Sequence, residues 1–384
     1  MILLLLFWTS LLLLSHTYAI YPLLLLFLSR KRKENQFIYK PEDALPFISV
    51  ILSVYNEAGV IEKKVRNIYA TNYPANKMEV IVGSDGSDDN TNAILQSLQK
   101  EFGSLRCVIF NSRKGKANVI NQLIPISAGE ILVFTDAKVE FTPHTLFELV
   151  KHFKNTEIGC VGGNIINKNQ QQSPLPEKAY MNLEMRNKYF EGKIWGATMG
   201  VYGACYAILR DDFVRFPENF SVEDFFITMH ILKKKKKSIL NKDAICFEDV
   251  PPQLSEEFRR KVRISAGNFQ NLFYFKKMVW PFTSVGFCFI SHKVLRWIGP
   301  ILLMVLFVSN LQLFNENSFY FYSLYLQVIF LLIPLFDFFL HIIRRDILIL
   351  RFISHFYSMN LALFIGLIKY LKGVKTNVWE PTKR

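Results

Sequence analysis

The sequence predicts an α/β fold, a doubly wound sheet with membrane-spanning helices at both ends. Three observations predict it. Short β-rich runs alternate with helical patterns between Pro46 and about Asn155, the first 28 residues carry no charge, and long apolar stretches follow residue 293. At 384 residues there is room for one large domain or two smaller ones.

The N-terminal stretch "MILLLLFWTSLLLLSHTYAIYPLLLLFL" contains no Lys, Arg, Asp or Glu. About 20 apolar residues suffice to cross a bilayer as a helix, so residues 1–28 read as an anchor. "SHTYA" resembles a signal-peptide cleavage site, but a charged leading region is missing and a second apolar run follows, which favours a retained span. "RKRK", Arg30 to Lys33, opens a basic linker over 29–45. Positive flanks favour the cytoplasmic side. The N-terminus is therefore expected outside and the main domain in the cytoplasm.

"FISVILSV" (47–54), "EVIVGS" (79–84), "RCVIF" (106–110) and "EILVFT" (130–135) read as buried strands of a parallel sheet. Helices are expected over 57–70, 90–102 and 116–127 between them. In such sheets ligands bind beyond the carboxyl ends of the strands. Tyr55-Asn56-Glu57 follows the first strand, Asp85-Gly86-Ser87 the second, and Asp136 the fourth. Three polar clusters thus converge on one crevice.

Beyond residue 156 the pattern changes. "GCVGGNI" and "GACYAIL" (203–209) are strand-like, 176–193 reads as a helix carrying Glu184, Arg186 and Lys188, and "SVEDFFITMHILKK" (221–234) as a helix opening at Ser221. "SEEFRRKVRISAGNFQNLF" (255–273) is a basic helix that closes a domain spanning 46–270. Residues 271–293, rich in aromatics with interleaved lysines, suit the membrane interface. A C-terminal membrane module over 294–371 follows, with spans at about 294–313 and 319–343 and a third, 347–371, interrupted by Arg351 and His355. With the N-terminus outside, three crossings put the basic tail 372–384 outside, against the charge rule; a re-entrant or interfacial final segment would resolve this.

The net charge of +14 comes mostly from residues beside apolar spans, and no nucleic-acid recognition motif accompanies it. Anionic lipid headgroups are the simpler partner. Five scattered cysteines without a CxxC fit free thiols and no zinc site.

Each motif has an ordinary structural reading. Asn56 and Glu57 suit a helix start, "GSDGSDDNT" (83–91) a capping turn, and "NSRKGKANVINQL" (111–123) a basic loop. The last also suits a phosphate at a helix N-terminus, although it lacks P-loop spacing. Glu223-Asp224 suits a helix's first turn. "KKKKK" (233–237) reads as a solvated or membrane-facing run. In order, however, "SVYNE", "SDGSDDNT", "RKGKANVIN", "FTDA", "VED" and "RRKVRISAGN" resemble the family 2 glycosyltransferases, which have a GT-A fold, and above all the membrane-embedded group of cellulose and hyaluronan synthases. The resemblance covers roughly residues 46–270.

It implies an inverting enzyme with a nucleotide-sugar donor, UDP-linked, and a lipid-linked or growing-glycan acceptor. Tyr55, Glu57 and Asp85 are carried over to the nucleotide, Lys116 to the phosphates, and Asp136 to the first acid of the DxD motif with its Mg²⁺ or Mn²⁺. Asp224 becomes the general base. Glu223, Arg260 and Arg263 fall in the acceptor and diphosphate region. An acceptor hydroxyl is a poor nucleophile and needs a carboxylate to take its proton, while the leaving diphosphate needs cations.

Two departures qualify the resemblance. Lys138 stands where the second DxD acid belongs and cannot ligate a metal. Either Asp136 holds a more weakly bound cation with the substrate phosphates, or Lys138 itself neutralises the diphosphate. The QxxRW signature of processive synthases becomes "RKVRI", keeping Arg263 but placing Arg260 and Ile264 at its Gln and Trp. That favours transfer of one sugar per encounter. A catalytically silent nucleotide-sugar-binding protein and a processive synthase are the alternatives.

Overall fold

Strands built from Val, Ile and Leu on both faces must be covered on both faces, which favours parallel pairing with helical crossovers. The computed structural model, which describes residues 1–168, 175–248, 254–343 and 345–374, shows this in β1 (Ile48–Val54), β2 (Met78–Asp85) and β4 (Ile131–Thr135), all almost wholly buried. β1 pairs in parallel with both β2 and β4, and β2 with β3 (Leu105–Phe110). The run expected to be a buried strand at 106–110 is instead the sheet's edge, where none of those residues is buried and Ile109 is 37% exposed.

Beyond β4 the sheet ceases to be purely parallel. β7 (Cys205–Leu209) runs antiparallel to β4, then come β6 (Ile158–Asn167), β8 (Lys237–Glu248) and the short β5 (Val139–Phe141), giving the order β3-β2-β1-β4-β7-β6-β8-β5. β6 and β8 are parallel with two register shifts. Gly163 lies opposite Ala244 and Cys205 at a distance no side chain allows, since a Cβ there would sit 2.5 Å from Cys205 Sγ.

Helices Ile61–Tyr69, Thr91–Glu101 and Lys116–Leu123 cover this sheet. The helix expected from Ser221 begins at Glu223, because Val222 adopts a left-handed conformation (φ 61°). A β-branched residue resists that conformation. The lysine run is solvated, as expected: Lys233, Lys234, Lys235 and Lys237 are exposed, while Lys234 and Lys236 also pair with Asp212 at 3.3 and 2.7 Å.

The described residues fall into two compact units. One gathers residues 28–168 and 185–248, with the sheet; the other gathers residues 1–27, 175–184, 254–343 and 345–373. In the second unit, helices Ile2–Ser29, Ser318–Ile342 and Leu348–Leu371 are long and apolar enough to cross a membrane. The span expected at 294–313 is not a straight helix. Ser284–Trp297 and Gly299–Leu313 meet at 64°, a broken span or a re-entrant loop, at a junction where Pro300 supplies no N–H.

By contrast, 347–371 forms a continuous helix from Leu348 despite Arg351 and His355. Arg351 pairs with the buried Asp337 at 3.3 Å, and His355 Nε2 lies 3.2 Å from Glu177. Charged residues among apolar helices are tolerated when paired in this way. Replacing Arg351 by Met strands Asp337 without a countercharge and should cost on the order of 3 kcal/mol. Thermal unfolding in detergent should show the loss, and adding Asp337→Leu should recover most of it.

Candidate active site

The loops after β1 and β2 are knitted together by short polar side chains. Asn56, held at φ 52°, donates its amide to Asp88 and accepts the Asp88 N–H at 3.0 Å, while the Glu57 and Ala58 N–H groups donate to Thr91 and Asp89. Asn56, Asp88, Asp89 and Thr91 therefore build the crevice wall. Asp85 ends β2 and accepts the N–H groups of Lys114 (2.6 Å) and Gly115 (2.9 Å). Gly86 (φ 67°) allows this approach, since a Cβ there would lie 2.8 Å from the Ser112 carbonyl carbon. Both Asp85 oxygens thus fasten the basic loop to the strand end. Arg113 lies over the Tyr55 ring, 3.4 Å from its centre.

Gly115 (φ 84°) turns the chain into the helix Lys116–Leu123 and sets Lys116 at its mouth. Lys116 Nζ lies 2.9 Å from Asp136 Oδ1 and 2.8 Å from Glu223 Oε1. Burial works to lower the Lys116 pKa, and the two carboxylates more than reverse it, so this lysine is held above its usual range. Beside Glu223, Asp224 accepts the Gly203 N–H at 2.8 Å and the Phe225 N–H at 2.8 Å. A Cβ at Gly203 would sit 3.2 Å from the carboxylate, a tight contact. Burial, reinforced by the Glu223 charge, pushes Asp224 up to about 6, against the pull of Lys188 and Lys116.

The structure thus brings Lys116, Asp136, Glu223 and Asp224 together. Lys138 pairs with Glu57 at 3.4 Å, linking the ends of β4 and β1. Asp85 and Tyr55 join through the Arg113 loop, with Arg113 Nε 3.7 Å from Asp85. Arg260 and Arg263 are half-buried on the helix Leu254–Tyr274, an element of the other unit.

Sequence reading passed over Lys64 and Arg113 and gave Lys188 no role. Lys64 is 3% exposed and donates to Thr135 Oγ1 (3.0 Å) and the Val139 carbonyl (2.6 Å). It clasps both ends of the turn that presents Asp136 and Lys138. The signal was in the pattern: Ile61, Lys64, Val65 and Ile68 share one helical face. Lys188, 5% exposed, lies 3.7 Å from the centre of the Tyr202 ring and acts on Asp224 from the helix Leu175–Trp195.

A metal has limited purchase here. Among the described residues no group of three His, Cys, Asp or Glu is placed to hold one. Asp136, with its side chain 41% exposed, is the acid available at the DxD position. One carboxylate plus substrate phosphates suits Mg²⁺ or Mn²⁺, so the residues fit a cation that arrives with a diphosphate rather than one permanently caged.

Residues 49–215 match the family described as Glycosyl transferase family 2. A beta-monoglucosyldiacylglycerol synthase from Trichormus variabilis is 33% identical over 122 residues, 31% of this chain and 26% of the relative. A poly-beta-1,6-N-acetyl-D-glucosamine synthase from Staphylococcus epidermidis is 24% identical over 264 residues, 66% of this chain and 62% of the relative. The chain thus spans about a quarter of the first relative's length and under two thirds of the second's. Among solved structures, a mannosyltransferase from Pyrobaculum calidifontis in complex with GDP-mannose and Mn²⁺ superposes with a TM-score of 0.72 at 23% identity, covering 95% of this chain and 99% of that one. That likeness concerns the fold, which is GT-A. The sheet and its strand-end acids agree with the match of residues 49–215 to Glycosyl transferase family 2.

Proposed function

We propose that this protein is a membrane-bound, inverting glycosyltransferase. It moves one sugar per encounter from a nucleotide-sugar donor, UDP-linked, to a lipid or glycan acceptor at the cytoplasmic face. The carrying observation is the half-buried group of Asp136, Lys116, Glu223 and Asp224, which sets cations for a leaving diphosphate beside a carboxylate suited to take a proton.

In this reading Asp224 removes the acceptor hydroxyl proton as the oxygen bonds to the anomeric carbon and the bond to the diphosphate breaks. Lys116 and Lys138 offset the charge that builds on the leaving group. Asp136 would hold a Mg²⁺ or Mn²⁺ with the phosphates, adding positive charge at the same place. Tyr55, Glu57 and Asp85 serve the nucleotide side.

The apolar helices support an acceptor presented at a membrane, as does a relative named for a glucosylated diacylglycerol. A catalytically silent binding protein is disfavoured by Asp224, whose raised pKa destabilises the fold without serving donor binding. A processive synthase is disfavoured by Arg260 and Ile264. Cytoplasmic placement follows from Arg30–Lys33, and reading the bent pair at 284–313 as re-entrant returns the basic tail to that side.

Asp85→Ala should release the Lys114 and Gly115 N–H groups. A hydrogen bond to a charged group contributes roughly 1.5–3 kcal/mol, so UDP affinity by calorimetry should fall at least about ten-fold. Unchanged affinity in a folded variant would remove Asp85 from donor recognition. Lys138→Asp should raise Mn²⁺ affinity in a metal titration of turnover, because a second carboxylate joins Asp136. A wild type that turns over without metal, with Lys138→Asp inactive, would make Lys138 the phosphate ligand itself.

Asp224→Asn should leave UDP affinity intact and lower turnover by roughly 10²–10⁴. Wild-type turnover should fall with acid below about pH 6, where the base takes up its proton. Stability should move the other way. A carboxyl whose pKa is higher folded than unfolded loses stability as pH rises from about 4 to 6. The Asn variant lacks the titrating group, so its stability should not fall over that range. Near-native transfer by Asp224→Asn would leave the chain without a base.

A further inference from the structure

Lys116 joins two acids from distant parts of the chain, Asp136 after β4 and Glu223 at the head of the helix Glu223–Lys233, at nearly equal distances of 2.9 and 2.8 Å. Glu223 keeps only 14% of its side chain exposed and Lys116 25%, so water screens the pair weakly. Lys116 also stands in the first turn of its own helix, where backbone N–H groups favour an anion. A diphosphate seated there competes with Glu223 for the same ammonium and carries more negative charge.

We propose that the Lys116–Glu223 pair is a latch that donor binding opens: the diphosphate draws Lys116 away, and the Glu223 carboxylate, left without that partner beside Asp224, strengthens Asp224 as a base. The inference rests on the donor reading above and adds an order to it, with donor first and full basicity second. Asp224 faces Glu223 on its own helix, Lys188 from the helix Leu175–Trp195, Lys116 from the helix Lys116–Leu123, Tyr206 from β7 and Cys160 from β6. The Glu223 charge raises the pKa of Asp224 while Lys116 and Lys188 lower it. Moving Lys116 off therefore removes one lowering influence and unmasks the raising one. The change runs in one direction.

Two substitutions in the full-length protein in detergent separate the latch from ordinary structural support. Glu223→Gln removes the competing charge and should bind UDP about five-fold tighter by calorimetry. It should also shift the acid limb of kcat down by about one pH unit, since Asp224 loses its charged neighbour. Glu223→Asp keeps the charge but shortens the arm by one methylene. It should likewise tighten UDP while its acid limb stays near that of wild type.

A merely structural Glu223 would weaken binding or leave it unchanged when replaced. UDP affinity that is unaltered or weaker in both variants, with melting temperatures near wild type, overturns the latch alone. An acid limb that does not move in Glu223→Gln overturns the coupling to Asp224. A wild type that binds neither UDP nor GDP overturns the donor reading and the latch with it.

Discussion

The double ion pair of Lys116 is the interaction on which the site depends. It ties the parallel part of the sheet, through Asp136, to the helix carrying Glu223 and Asp224. The acids alone would repel one another. With one ammonium between them they can share the space. Asp224 lies outside that bridge, and burial together with the Glu223 charge raises its pKa despite the N–H groups of Gly203 and Phe225 that it accepts. On the proposed reading that raised pKa suits proton transfer, because a base works best when its pKa approaches the working pH.

The first half of the fold was legible because strand periodicity and strand-end chemistry are local. β1, β2 and β4 show continuous apolar runs, and Tyr55, Asp85 and Asp136 fall where the runs stop. What was not legible depends on partners distant in sequence. The edge position of β3 is set by where the sheet ends, and its own composition does not reveal it. The reversal at β7 requires knowing that Ile131 pairs with Leu209. The start of the helix at Glu223 turns on the left-handed Val222, a conformation that sequence propensity argues against.

The apolar unit follows the same logic. Read along the chain, Arg351 and His355 interrupt a span; in space they meet Asp337 and Glu177. Glu184 likewise accepts from His292 and Arg296 at 2.9 and 2.6 Å, with Lys293 alongside, 108 to 112 residues away. Burying a carboxylate among apolar helices is costly unless it is paired and hydrogen-bonded. Hydropathy along a single segment therefore understates what the folded helices tolerate.

The turn between β4 and β5 shows how a departure from a motif can remain consistent with its chemistry. Lys64 fixes Thr135 and Val139 from below, so the two side chains between them that matter, Asp136 and Lys138, project from a held backbone. With an acid at the second position, the turn would present two oxygens to a cation and Glu57 would face another negative charge. With Lys138 there, Glu57 gains a partner at 3.4 Å and the turn carries one negative and one positive group. On the proposed donor reading, part of the positive charge that a tightly held metal would bring to a diphosphate is built into the protein. The lysine is a compensated exchange, because Glu57, Lys138 and Asp136 together leave the crevice less negative than two acids would. A leaving diphosphate gains most from a crevice of that kind.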